Sequence, residues 1–192
     1  MDTLKGRFLV AMPDMNDERF VGTVVYLVAH GDEGAMGLVV NKPMPDMHIS
    51  DIIEEVELGD EDEAIRVPVT KLNEGVLKGG PVDTSRGFVL HSDDYFRDGN
   101  SYPVEDGICL TATLDVLRAI AKGKGPAKSL LALGYCGWSA GQLENELRNN
   151  GWLTVDASED VLFETPPEKR YDAALASLGL TRATLSTQGG TA

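Results

Sequence analysis

Within its first forty residues the chain carries three apolar runs of strand length, Arg7–Ala11, Thr23–Ala29 and Ala35–Val40, each bounded by Gly, Asp or Pro. Runs this short and this rich in Val, Leu and aromatics read as β-strands. The loop His30-Gly31-Asp32-Glu33-Gly34 between the last two is a hairpin signal, so the sheet starts antiparallel. A second strand group is expected at Ile65–Val69, Gly75–Leu77 and Gly87–His91, with "KGGPVDTSR" supplying turn chemistry before the last. The apolar run Ser129–Tyr135 reads as a buried strand, and Trp152–Val155 as a final one.

Helices fall between these runs. Ser50 can cap a short helix with Ile52, Ile53 and Val56 on one face, closed by Gly59. Thr113–Lys122 places Leu114, Leu117 and Ile120 on a stripe and is stopped by Gly123, Gly125 and Pro126. Ser139 with Gln142 three residues later forms a capping box, Ala140, Leu143 and Leu147 give the buried stripe, and Gly151 suits the left-handed end. A last helix opens at Pro167 and ends at Gly179, and the small polar tail from Thr181 reads as frayed. With 192 residues and no linker or repeat, the expectation is one domain of α+β class, a largely antiparallel sheet with helices packed on it.

The formal charge of −14 repels a polyanion, which sets the chain against direct nucleic-acid binding. Eight acidic residues lie in Asp51–Glu63 without a basic one, yet the spacing of a calcium loop is missing, so a solvated acidic face is the expectation. Cys109 and Cys136 stand alone, with no C-x-x-C, and read as buried thiols of a reduced cytoplasmic protein. No apolar stretch is long enough to span a bilayer, so no membrane role is expected. No cofactor motif and no metal-ligand set is apparent.

Gly137-Trp138-Ser139-Ala140-Gly141 matches the G-x-S-x-G pattern of hydrolase nucleophiles. In that scaffold the histidine follows the serine, whereas His30, His48 and His91 all precede Ser139. Ser139 is therefore read as a helix cap, and Cys136 as core filler; the rival reading is a hydrolase-like enzyme using Ser139 or Cys136 with His91 as base. "GKGPAKS" (123–129) lacks two glycines of a phosphate loop and sits between helix and strand in the wrong order. The turn expected at Gly134–Trp138 puts glycines and two aromatics before a helix, where a small anionic ligand could dock.

Together "GAMGLVVNKP" (34–43), "GGPV" (79–82), "GFVLH" (87–91) and "GYCGWSAGQLENELRNNGWL" (134–153) resemble the YqgE/AlgH family of bacterial proteins. The resemblance implies a compact α+β domain whose bent, bifurcated sheet forms a pseudo-barrel. It brings no active site, and the transcriptional-regulator label common in the family fits poorly with a strongly acidic chain lacking a helix-turn-helix. The expectation is a non-enzymatic cytoplasmic binding protein, a regulatory role included, that works through a protein or a small anionic ligand and not by touching DNA. Its candidate binding surface is Asn41, Lys42, Pro43, Gly80, Pro81, His91, Tyr135, Trp138 and Gln142, polar or aromatic groups at element ends. No catalytic residue is assigned.

Overall fold

The structure is a computed structural model and describes residues 3–45, 65, 76–105 and 107–188. The class is α+β, and the chain divides into two compact units: Met1–Lys42 with Cys136–Ala192, and the intervening Pro43–Tyr135. The helix expected after Ser50, the acidic stretch Asp51–Glu63 and the strand Ile65–Val69 apart from Ile65 lie outside the described residues.

The first unit is an antiparallel sheet of β1 (Arg7–Ala11), β2 (Val24–Gly31), β3 (Gly34–Val39), β9 (Trp152–Asp156) and the last residues of β8 (Ser129–Ser139). β1 lies between β9 and β2, with Phe8 opposite both Val155 and Tyr26, while β3 joins β2 to β8 through pairs such as Gly37 with Cys136. Along β1 and β2 the residues are buried without alternation, because both faces are covered. Leu9, Ala11, Val25 and Leu27 pack with Trp138, Trp152 and Leu143 of α2 (Gln142–Arg148). Phe8, Val10 and Tyr26 are buried as well, and α3 (Arg170–Ala176) packs against β1 and β2, its Tyr171 hydroxyl donating to the Ala11 carbonyl at 2.6 Å. This double cover is why the sequence reads VVYLVA and not as an apolar–polar alternation.

The second unit is built from β4 (Leu77–Lys78), β5 (Val82–Ser92), β6 (Ser101–Glu105), β7 (Ile108–Thr111) and the first residues of β8. The order is β6-β7-β5-β8 with antiparallel neighbours, and β4 pairs with β8 in parallel. α1 (Leu114–Ala121) presents Leu114 and Leu117 to Val89, Leu131 and Leu133, and Gly123 ends it at φ 68°.

Several sequence expectations need correction. Gly134–Trp138 is not a turn, because β8 runs unbroken to Ser139. α2 starts only at Gln142, with Gly141 at φ 74° as its cap residue, so Ser139 does not cap it. Half of the capping box survives in another form: the Gln142 side chain reaches back to accept from the Ser139 N–H at 3.1 Å. At the far end the left-handed residue is Asn150 (φ 54°) and not Gly151, whose N–H donates to Glu146 O. Pro167 opens a 3-10 turn, Pro167–Lys169, that leads into α3. The tail forms α4 (Arg182–Gln188), anchored by buried Leu185 and by Arg182 over the Tyr171 ring. Val82–Arg86, read as turn chemistry, belongs to β5, and the β6–β7 hairpin escaped notice because Pro103 interrupts an edge strand.

Candidate functional site

The nine residues proposed from sequence divide between the two units. Asn41 is buried and its amide is spent on the backbone, accepting from Val24 N–H at 2.8 Å and donating to Gly22 O at 2.9 Å. Lys42 is half-buried, its Nζ 3.6 Å from where a side chain on Gly22 would begin. Trp138 and Gln142 meet at one carboxylate: Trp138 Nε1 donates to Glu146 Oε2 at 2.9 Å, Trp152 Nε1 to the same oxygen at 2.7 Å, and Gln142 Nε2 to Oε1 at 3.0 Å. This indole clamp holds α2 on the strands that carry the two tryptophans.

In the second unit Pro43 and Pro81 are exposed, and Pro43 bridges to Leu77. Gly79, Gly80 and Gly134 serve close backbone approach. A Cβ on Gly79 would stand 2.3 Å from Gly134 O, and one on Gly134, already at φ 75°, 2.4 Å from Gly80 O. Tyr135 is half-buried and sets its ring edge-on to Phe88. His91 is fully buried: Nδ1 donates to Ser92 O at 2.9 Å, and Nε2 accepts from Thr111 Oγ1 at 2.8 Å, which is in turn 2.9 Å from Ser101 Oγ. Burial holds this imidazole below the usual histidine range.

Cys136 is 1% exposed, and burial pushes its thiol up to about 12, far from the thiolate a nucleophile needs. Ser139 is exposed, its Oγ donating to Gln142 Oε1 at 3.1 Å. Both ring nitrogens of His91 are occupied by Ser92 and Thr111, which leaves it no lone pair for another hydroxyl.

A different constellation forms in the first unit. His30, at the end of β2, accepts from Leu4 N–H through Nδ1 at 3.0 Å, so its proton sits on Nε2 and is donated to Glu144 Oε1 at 2.9 Å. Thr3 Oγ1 adds a long contact to His30 O at 3.4 Å. Glu144 is held below the usual carboxylate range, first by its own backbone N–H at the start of α2 and then by His30. Around this pair opens a pocket of about 440 Å3 lined by Thr3, His30, Gly31, Asp32, Gly141, Glu144 and Arg148. Glu144 and Arg148 come from one face of α2, four residues apart. Gly31 and Gly141 leave room, since a Cβ at either would touch nothing within 4 Å. Sequence reading treated His30–Gly34 only as a hairpin; the available signal was a histidine at that turn together with a helix carrying Glu and Arg four apart.

Among the described residues no group of three or more His, Cys, Asp or Glu could hold a metal ion, and no helix is long and apolar enough to cross a membrane. Fold and site together describe an α+β protein with a polar pocket at the β2–β3 hairpin end of an antiparallel sheet. Residues 8–183 match the family model DUF179, AlgH-like, and the chain belongs to this AlgH-like family. A UPF0301 protein of Methylobacterium nodulans is 51% identical over 97% of this chain and 89% of its own length. One from Sinorhizobium medicae is 50% identical over 97% and 92%. The solution structure of the AlgH protein from Pseudomonas aeruginosa superposes with a TM-score of 0.75 at 43% identity, covering 99% of this chain and 96% of that one. A Corynebacterium diphtheriae protein shares the fold alone, with a TM-score of 0.71 at 17% identity over 97% and 92% of the two chains.

Proposed function

We propose that this chain is a non-enzymatic cytoplasmic binding protein whose ligand site is the pocket around His30, Glu144 and Arg148, and that any regulatory role runs through that ligand or a protein partner and not through DNA. The observation that carries the reading is the pocket itself: polar side chains from the N-terminal segment, a hairpin and a helix converge on one open space of ligand size. Burial of Cys136 and the occupied imidazole of His91 weigh against nucleophilic catalysis, and a charge of −14 weighs against a duplex partner.

The test uses Gly31, which lines the pocket in ordinary extended strand and has space for a side chain. Wild type and Gly31→Trp are incubated with a bacterial small-molecule extract, and retained molecules are read by native mass spectrometry. A species retained by the wild type and lost in the variant supports the site; equal retention, or none in either, overturns it.

A further inference from the structure

The pocket holds charges of both signs that form no direct ion pair with each other. Asp32 and Arg148 both line it, and no ion pair within 4.0 Å joins Arg148 to Asp32 or to Glu144. Among the described residues the Arg148 guanidinium hydrogen-bonds only the Asn145 side-chain oxygen, through Nη2, while its charge helps to hold the Glu144 carboxyl low. That leaves most of its five donors open. The Asp32 carboxylate has no partner among the described residues, whereas one Glu144 oxygen is already held by His30. His30 is neutral in this bonding pattern, since its Nδ1 accepts the Leu4 N–H.

A ligand with a single charge fits this set badly. A plain anion would face two carboxylates, and a plain cation would face the guanidinium. Two carboxylates with a neutral, fully bonded histidine are too few for a divalent cation cage. A molecule carrying both poles satisfies both: an ammonium turned to Asp32 and Glu144 and a carboxylate turned to Arg148, which pairs with carboxylates in fork geometry. Resting on the binding reading above, we infer that the pocket takes a zwitterion of amino-acid or dipeptide size, its two poles read by Asp32 with Glu144 and by Arg148.

The experiment is calorimetric titration of the full chain with the common L-amino acids and a set of glycyl dipeptides. Each binder is then repeated as its N-acetyl derivative, which lacks the cation, and as its methyl ester, which lacks the anion. The expected result is binding by zwitterions that weakens at least tenfold for either single-pole analogue. In Arg148→Gln the ester and the free acid should bind alike, and in Asp32→Asn the acetylated and free forms should converge. No binding across the panel, or an N-acetyl derivative binding as well as its parent, overturns the ligand class. The mass-spectrometric comparison with Gly31→Trp separates the failures: a metabolite lost in that variant keeps the pocket as a binding site with another ligand, and none lost removes both.

Discussion

Replacing Glu146 by Leu tests what fixes α2, and hence one wall of the pocket. The carboxylate accepts from the indole N–H groups of Trp138 and Trp152, residues only 6% and 4% exposed, and from Gln142. Leucine is as good a helix former as glutamate, so helix propensity barely changes. What changes is that two largely buried N–H groups lose their acceptor, at roughly 1–3 kcal/mol each. Part of that returns through added apolar contact with the rings, which leaves an expected loss of about 3 kcal/mol, or roughly 6–12 °C in Tm for a chain of this size. Trp138 and Trp152 are the only tryptophans, so urea unfolding followed by their emission reads the first unit directly. A cycle with Trp152→Phe isolates the bond: with one indole donor gone, Glu146→Leu should cost about 1–3 kcal/mol less. A loss below about 0.5 kcal/mol, or strictly additive single and double variants, would refute the clamp.

Three further outcomes follow from the same contacts. Folded protein should leave both thiols unlabelled by a disulfide exchange reagent at pH 8 over the time in which denatured protein reacts fully; rapid native labelling at Cys136 would contradict its burial. His91 resists protonation when folded, so below its unfolded value of 6.5 the unfolded chain takes up a proton that the folded chain refuses. Unfolding free energy should therefore fall as pH drops from 6.5 toward 4.5, above the range in which the lowered carboxylates of Glu144 and Asp94 titrate, and His91→Gln should flatten that slope in denaturation curves taken at successive pH values. Gly134→Ala, which drives a Cβ into Gly80 O at a positive φ, should lower Tm well beyond Gly31→Ala, whose Cβ meets nothing; equal values would show that the close approach does not constrain the chain.

The sheet was legible in the sequence wherever apolar runs ended on Gly, Asp or Pro, as for Arg7–Ala11 and Thr23–Ala29, because short connections and β-rich composition leave a strand few alternatives. It was illegible where the same residue types do other work. Gly134 and Gly137 read as a turn, yet they sit inside β8, where glycine is needed because the backbone of the Gly79–Thr84 segment crowds Gly134. Ser139 and Gln142 carry a capping signature, but Gly141 provides the sharp entry into α2, and only the Gln142 half of the box forms. The pocket eluded sequence reading because it joins residues more than a hundred positions apart: His30 meets Glu144 because β3, its hairpin partner, pairs with the end of β8 that leads into α2.

The division of β8 between two units bears on the chain-entropy cost of assembly. The strands of the first unit flank about ninety intervening residues, and closing a floppy loop of that length costs roughly 4 kcal/mol of chain entropy. The second unit removes most of that cost once it has formed. Pro43 bridges to Leu77, and Leu77 pairs with Ala132, so Pro43, where the chain enters the second unit, is held only two strand spacings, about 10 Å, from Ala132, three residues before the chain leaves it. β3 and the end of β8 then meet as near neighbours instead of as distant segments. Prior formation of the second unit would thus shorten the closure that β3 and the end of β8 have to make.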